Sequence, residues 1–260
     1  METYPVTELY IGETWPNPAG TPEIRANIAA NVESGLPAWA ADRTPKGRVA
    51  IVGYGPSLLD TWERLRDFDV VWTVSKAHDF LVERGISPTY HTDADYREHK
   101  AHFNARPSPG TVYVLATQVH PLYLERHAGA DMRLFHICSN PANGPFSMRY
   151  PRVISGHDAG QIAAKLAFDH GHREQHWFGM DGSRADRETH AGPHSGVKAP
   201  LVRLKCEGRE WESDQHLSSG LFFTERLLCK YPFLRATIHG GGLLGPFLRE
   251  RGKCAVVVEP

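Results

Sequence analysis

The chain has 260 residues, of which 41% are hydrophobic and 23% charged, and a formal net charge of -1. That size and composition suit one globular domain with a sizeable core, and a charge so near zero supplies no global attraction to nucleic acid, though it leaves a local basic groove open. No apolar run reaches the length of a membrane span, and the polar start Met1-Glu2-Thr3-Tyr4-Pro5 lacks a signal-peptide core, so no membrane segment and a cytoplasmic protein are expected.

Between Thr21 and Trp39, Ile24, Ile28, Val32 and Leu36 recur every fourth residue, which predicts an amphipathic helix within an N-terminal leader over residues 1–44. After the Pro45-Lys46-Gly47 break come apolar runs at Val49–Val52, Val70–Val74, Val112–Leu115, Leu134–Ile137, His176–Phe178 and Ala236–Ile238. Helical patterns at Leu58–Leu65, Ala77–Arg84, Ala159–His170 and Gln215–Lys230 alternate with them. This alternation predicts an α/β fold over residues 45–260: a single Rossmann-like, doubly wound, mainly parallel sheet with helices on both faces. In the Ala159 helix, Ile162, Ala163, Leu166 and Ala167 form one apolar stripe with Lys165 and Asp169 pointing away, and Gly171 ends it. The polar stretch Asp181–Val197 has little to bury and reads as a functional loop.

The first strand runs into Gly53-Tyr54-Gly55-Pro56-Ser57 and then a helix. Glycines allow main-chain N–H groups to close on an anion, proline suits the first helical position, and Ser57 can cap the helix or reach a phosphate oxygen. The same residues also make a plain strand-to-helix turn. In a doubly wound sheet, ligands gather beyond the carboxyl ends of the strands, where Ser75 and Lys76, Asp93 and Asp95, Ser155 and Gly156, and Asp181 all fall. Asp93 and Asp95 lie two apart, so on an extended segment they face one side and are candidates either for Mg²⁺ or for capping the next helical segment. Ser155 and Gly156 head a helix, where N–H groups can meet phosphate. Asp181 is a candidate for a ribose, a metal or its own loop, and His190 and His194 are candidates for a general base.

Several chemistries are disfavoured. Gly192 and Pro193 separate the two histidines, which argues against the shared helical face of a zincin and leaves a metal-dependent hydrolase without diagnostic ligand spacing. A third glycine is missing at the dinucleotide spacing and Thr73-Val74-Ser75-Lys76 holds no ribose-binding acid, so NAD is not expected. There is no Gly-Lys-Ser or Gly-Lys-Thr phosphate loop. Cys138, Cys206, Cys229 and Cys254 contain no Cys-x-x-Cys pair and read as reduced, buried small hydrophobes.

The ordered set of Gly53-Tyr54-Gly55-Pro56-Ser57-Leu58, Gly85-Ile86-Ser87-Pro88 leading to Asp93 or Asp95, the small-residue helix from Ala159, and Gly179-Met180-Asp181 resembles the archaeal 6-hydroxymethylpterin diphosphokinase-like (MptE-like) family over about Val49 to Ser195. The layout is also similar to bacterial sialyltransferases and motility-associated flagellin glycosyltransferases, with Tyr54 where the sialyltransferases carry an asparagine. The resemblance implies a cytoplasmic, nucleotide-dependent transferase with a small-molecule nucleotide and a hydroxyl-bearing acceptor as partners, and leaves homo-oligomerisation open. Its leading form is Mg²⁺-assisted diphosphoryl transfer from ATP to a hydroxymethyl, pterin-like acceptor. In that form Gly53 to Ser57, Ser75, Lys76, Ser155 and Gly156 hold phosphate, and Asp93, Asp95 and Asp181 are candidates for the metal. The alternatives are glycosyl transfer from a CMP- or other nucleotide-activated sugar, with His194 or His190 acting on the acceptor or the leaving group, and a nucleotide-binding module without chemistry.

Overall fold

The computed structural model describes residues 3–5, 22–104, 107–137, 149–153, 157–185, 190–192, 201–252 and 256–259. Its strands are β1 Thr3–Pro5, β2 Val49–Val52, β3 Val71–Val74, β4 Tyr90–Asp93, β5 Val112–Ala116, β6 Asp131–Ile137, β7 Arg152–Val153, β8 Glu174–Phe178, β9 Leu201–Cys206, β10 Arg209–Asp214, β11 Arg235–His239 and β12 Val256–Glu259. The helices are α1 Pro22–Glu33, α2 Leu58–Thr61, α3 Ala77–Val82, α4 Pro121–Arg126, α5 Ala159–Asp169, α6 Gln215–Lys230 and α7 Leu244–Glu250, with 3-10 helices at Trp62–Asp67 and Glu98–His102.

Nine strands form one sheet in the order β12-β11-β8-β2-β3-β4-β5-β6-β7, and every neighbouring pair is parallel. The chain builds outward from β2 through β7, then returns to the other side of β2 with β8. The topological switch therefore lies between β2 and β8. A small sheet of β1, β9 and β10 stands beside it.

The β2 strand shows why the sheet is central. All four of its residues are buried, Val49 and Ile51 in the larger apolar core with Leu166, Trp177 and Phe135, and Ala50 and Val52 in a second core with Leu58, Leu81 and Phe178. Successive strand residues face opposite sides, so a continuous apolar run belongs to a sheet covered on both faces. Burying each Val or Ile contributes about 1.5–3 kcal/mol.

The structure departs from the sequence expectations in particular places. The helix expected over Leu58–Leu65 holds α-geometry for one turn before tightening into the 3-10 segment. The Thr61 hydroxyl donates to the Ser57 carbonyl at 2.8 Å, a side-chain bond that competes with the helical ladder. Lys165 does not point away: it is buried, bonded to Asp169, with Nζ 4.9 Å from the centroid of the Tyr231 ring. Cys229 is exposed. The β9–β10 hairpin, turned by Glu207 and Gly208 at φ 49° and 75°, carries many charges and so lacks an apolar run of the kind that marks β2 and β5. Within the segment expected as a leader, α1 is docked on the sheet. The Asn31 amide donates to the carbonyls of Thr117 and Val119 at 2.9 and 2.7 Å, and Asn27 to those of Tyr96 and Gln118 at 2.9 and 3.2 Å. Among the described residues no helix is long and apolar enough to cross a membrane.

Candidate functional site

The turns that follow β2 and β8 are interlocked at the switch. Gly53 N–H donates to the Phe178 carbonyl and Gly55 N–H to the Gly179 carbonyl, both at 2.8 Å. Ser57 N–H donates to Asp181 Oδ2 at 2.8 Å, and its hydroxyl donates to Asp181 Oδ1. The glycines are required by this approach. A Cβ on Gly53 would lie 2.5 Å from the Gly179 oxygen, and one on Gly55 would lie 2.5 Å from Asp181 Oδ2 and 2.6 Å from the Gly179 oxygen. Gly179 itself has φ +60°. The N–H groups of Gly53, Gly55 and Ser57, expected to face phosphate, thus have acceptors within the protein. The Asp181 carboxylate takes the place of an anion at this turn, and burial pushes its pKa up while the bonds from Ser57 oppose the shift.

The outer face of the turn meets the histidine loop. Ala191 N–H donates to the Tyr54 carbonyl at 2.9 Å, and the Tyr54 ring lies 5.9 Å from Phe80 and 6.1 Å from His190. Next along the edge, Ser75 adopts the left-handed conformation at φ 50°, uncommon for a residue with a side chain, and turns the chain into Lys76 at the head of α3. Lys76 Nζ is 4.6 Å from the centroid of Phe103, and Lys100 Nζ is 4.1 Å from the same ring. Lys100, in the 3-10 helix after β4, is only 9% exposed, and burial lowers the pKa of its ammonium group. Burial and then the charge of Lys100 depress the His190 imidazole to about 4, with Lys76 acting in the same direction.

The paired aspartates are engaged. Asp93 Oδ1 accepts from the N–H groups of Ala94 and Asp95 at 2.7 and 3.0 Å, and burial raises its pKa to about 6. Asp95 takes the Arg97 guanidinium on both oxygens, at 2.9 and 2.5 Å, with Lys100 at 3.9 Å. Burial would raise the Asp95 carboxyl, but the Arg97 bonds outweigh it and hold it low. Among the described residues no group of three or more His, Cys, Asp or Glu side chains could hold a metal. Oδ1 of Asp93 and both oxygens of Asp95 and of Asp181 thus accept from protein donors, an arrangement that also suits the capping role expected for Asp93 and Asp95 and the loop role expected for Asp181.

At the starts of α5 and α6 stand two residues that sequence reasoning missed. His157 and His216 meet ring to ring at 2.9 Å, beside Asp158 and Asp214, whose carboxylates cap α5 and α6. The visible signal was a histidine within two positions of a capping aspartate at the start of each of two helices, His157 just before Asp158 and His216 two residues after Asp214. Arg184 pairs with Asp214 at 3.3 Å. His190 lies within electrostatic reach of Lys76 and Lys100 as well as of Asp214 and His216. Ser155, Gly156 and His194 lie outside the described residues.

The fold is similar to that of the MAf glycosyltransferase from Magnetospirillum magneticum AMB-1, with a TM-score of 0.64 and 19% identity over 83% of this chain. The chain spans about a third of that protein, 36% of its length. A mammalian sialyltransferase aligns over 92% of this chain and 89% of its own, at 11% identity and a TM-score of 0.43. No curated protein matches the sequence. The family described as 6-hydroxymethylpterin diphosphokinase MptE-like matches residues 24–187, more than half of the 260 residues. By that match the chain belongs to the 6-hydroxymethylpterin diphosphokinase MptE-like family.

Proposed function

We propose that the chain is a nucleotide-dependent transferase that moves a glycosyl group from a nucleotide-activated sugar to a hydroxyl-bearing acceptor at the carboxyl edge of its sheet. The observation that carries this reading is the convergence of Lys76 and Lys100 on Phe103 at that edge, within electrostatic reach of His190. Two ammonium groups drawn to one ring suit the phosphate or diphosphate of an activated sugar, whose charge offsets their mutual repulsion. As the bond to the sugar breaks, negative charge grows on the leaving phosphate, and fixed cations there lower the barrier. His190, neutral at physiological pH, supplies an N–H to a phosphate oxygen. Likeness in fold to a glycosyltransferase is consistent with this chemistry.

The family description favours a second reading, diphosphoryl transfer from ATP to a pterin-like acceptor. The same lysines would serve it, with charge neutralisation and positioning as the catalytic means. A thermal-shift panel of CMP, UDP and their sugars against ATP with Mg²⁺ separates the two. A ligand at a hundredfold excess over its Kd stabilises the fold by about 2.7 kcal/mol. A shift with a CMP or UDP compound supports glycosyl transfer, whereas a shift with ATP and Mg²⁺ alone replaces it with the diphosphokinase reading.

A further inference from the structure

Two imidazoles unused by that reading meet at the same edge. His157, just before α5, and His216, in the first turn of α6, are joined from Nε2 to Nδ1 at 2.9 Å, with ring centroids 4.4 Å apart. Helices that connect parallel strands run back against them, so both helix starts lie where the strands end. The pair is held from several directions. Phe223 of α6 stacks on His157 at 5.3 Å and 14°. The His157 N–H donates to Gln161 Oε1 at 2.5 Å, and the Gln161 amide reaches the Gly220 carbonyl and the Thr224 hydroxyl at 2.7 and 3.0 Å. Gln161 is 1% exposed, so this link is a buried strut between α5 and α6, whereas His216 is exposed and His157 half-buried.

A ring-to-ring bond needs one imidazole as donor and the other as acceptor. With the His216 Nδ1 proton in that bond, its Nε2 carries a lone pair. Among the described residues, charged and titratable groups around the pair include Asp158 and Asp214 at the two caps, Arg184 paired with Asp214, and His190. Burial, followed by repulsion from His216, pushes His157 down to about 4, which leaves the His157 ring uncharged at neutral pH. Asp158 and Asp214 act the other way, favouring charge once a proton arrives.

We propose that the His157–His216 pair receives the proton of the incoming acceptor hydroxyl, with His216 Nε2 as the receiving atom and His157 sharing the charge through the bond between the rings. This rests on the glycosyl-transfer reading and assigns its acceptor side, leaving His190 and the lysines to the phosphate. The acceptor O–H bond breaks and its proton passes to His216, while the oxygen bonds to the sugar carbon. The bond from that carbon to the nucleotide phosphate oxygen breaks, and its electron pair stays on the phosphate. No oxidant, reductant or further reactant is consumed.

The test uses the full chain with CMP, UDP and their sugars, water standing in for the acceptor. Nucleotide binding is measured by calorimetry and sugar-nucleotide hydrolysis by release of free nucleotide. His216→Gln and His157→Gln should bind nucleotide within about twofold of the parent and lose about 100-fold in hydrolysis, the range expected of one general base. Added imidazole should restore part of the loss in His216→Ala, which a purely structural role would not produce. Should one variant fail to fold, the other decides: a folded variant that binds nucleotide and has lost hydrolysis supports the proposal, and one that hydrolyses at the parent's rate overturns it. Hydrolysis unchanged in both variants, or nucleotide bound by the parent without hydrolysis, overturns the proposal and leaves the nucleotide site standing. Failure of every nucleotide and sugar nucleotide to bind overturns both.

Discussion

Ser57 gives its main-chain N–H and its hydroxyl to the two oxygens of Asp181, so a single carboxylate fastens the turn after β2 to the turn after β8. The Asp181 carbonyl in turn accepts from Leu244 N–H at 2.9 Å, tying the same turn to the start of α7. Asp181 is 7% exposed, so its carboxylate is largely shielded from water. Asp181→Ala removes both acceptors of the part-buried Ser57 N–H and hydroxyl, at about 1–3 kcal/mol in all, whereas Asp181→Asn keeps one acceptor oxygen. Urea unfolding should rank the proteins parent, then Asn, then Ala.

Gly55→Ala places a methyl group against the Gly179 carbonyl and the Asp181 carboxylate, both parts of the interlock. Overpacking of this kind costs about 1–3 kcal/mol. Gly47→Ala, with nothing within 4 Å of the new methyl group, is the matched control and should leave the urea midpoint nearly unchanged. Equal midpoints for the two variants would show that close approach is not what the glycine provides.

Lys76→Ala and Lys100→Ala should each weaken the nucleotide that scores in the thermal-shift panel by about tenfold, the worth of one charge-assisted contact. The loss should shrink as salt rises, which calorimetry at two ionic strengths would read. Because Lys100 is the largest charge depressing His190, its removal should also move the His190 titration upward from about 4, visible by NMR of labelled histidine.

Stability should fall as pH drops below 6.5. Burial depresses His91 far below its ordinary 6.5, and His127 shifts in the same direction. The unfolded chain therefore binds protons that the folded chain does not, and their contribution, fully present above 6.5, is lost as pH falls toward the folded values. Asp93, raised from 3.8 to about 6, works against this, since its folded form keeps a proton that the unfolded chain releases as pH rises. Asp181 is raised too, but the depressed histidines, with His157 and His190 added, outnumber the two carboxyls. A thermal melt at pH 7.5, 6.0 and 5.0 should show a descending midpoint, and a flat or rising series would contradict the assignment.

Because Asp93 and Asp95 are bound to the protein's own donors, removing divalent metal should not change the nucleotide-induced thermal shift. Asp95→Asn should destabilise the β4 loop through loss of the Arg97 pair, with the same effect in EDTA as in Mg²⁺. A shift that vanishes in EDTA and returns with Mg²⁺ would restore a metal to this site.

Val49-Ala50-Ile51-Val52 reads as a strand buried on both faces, and the alternation of such runs with helical stripes pointed to the parallel, doubly wound sheet and put the polar residues at the strand ends. Local sequence carries that much because side-chain periodicity and burial are local consequences of backbone geometry. The use of those polar residues was settled by distance between segments far apart in the chain. Gly53-Tyr54-Gly55-Pro56-Ser57 reads equally as a phosphate cradle and as a turn until Asp181, 124 positions beyond Ser57, is seen to fill it. Asp93 and Asp95 read equally as a metal pair and as caps for the next segment, and it is the backbone N–H groups after Asp93 and the Arg97 guanidinium that the fold brings to them. Lys100, His157 and His216 carry no motif, and only the packing of α5 on α6 and of the 3-10 helix beside β4 sets them at the edge. A carboxylate, an amide or an imidazole acts through the partner a few ångströms away, and in this chain that partner is chosen by the tertiary fold.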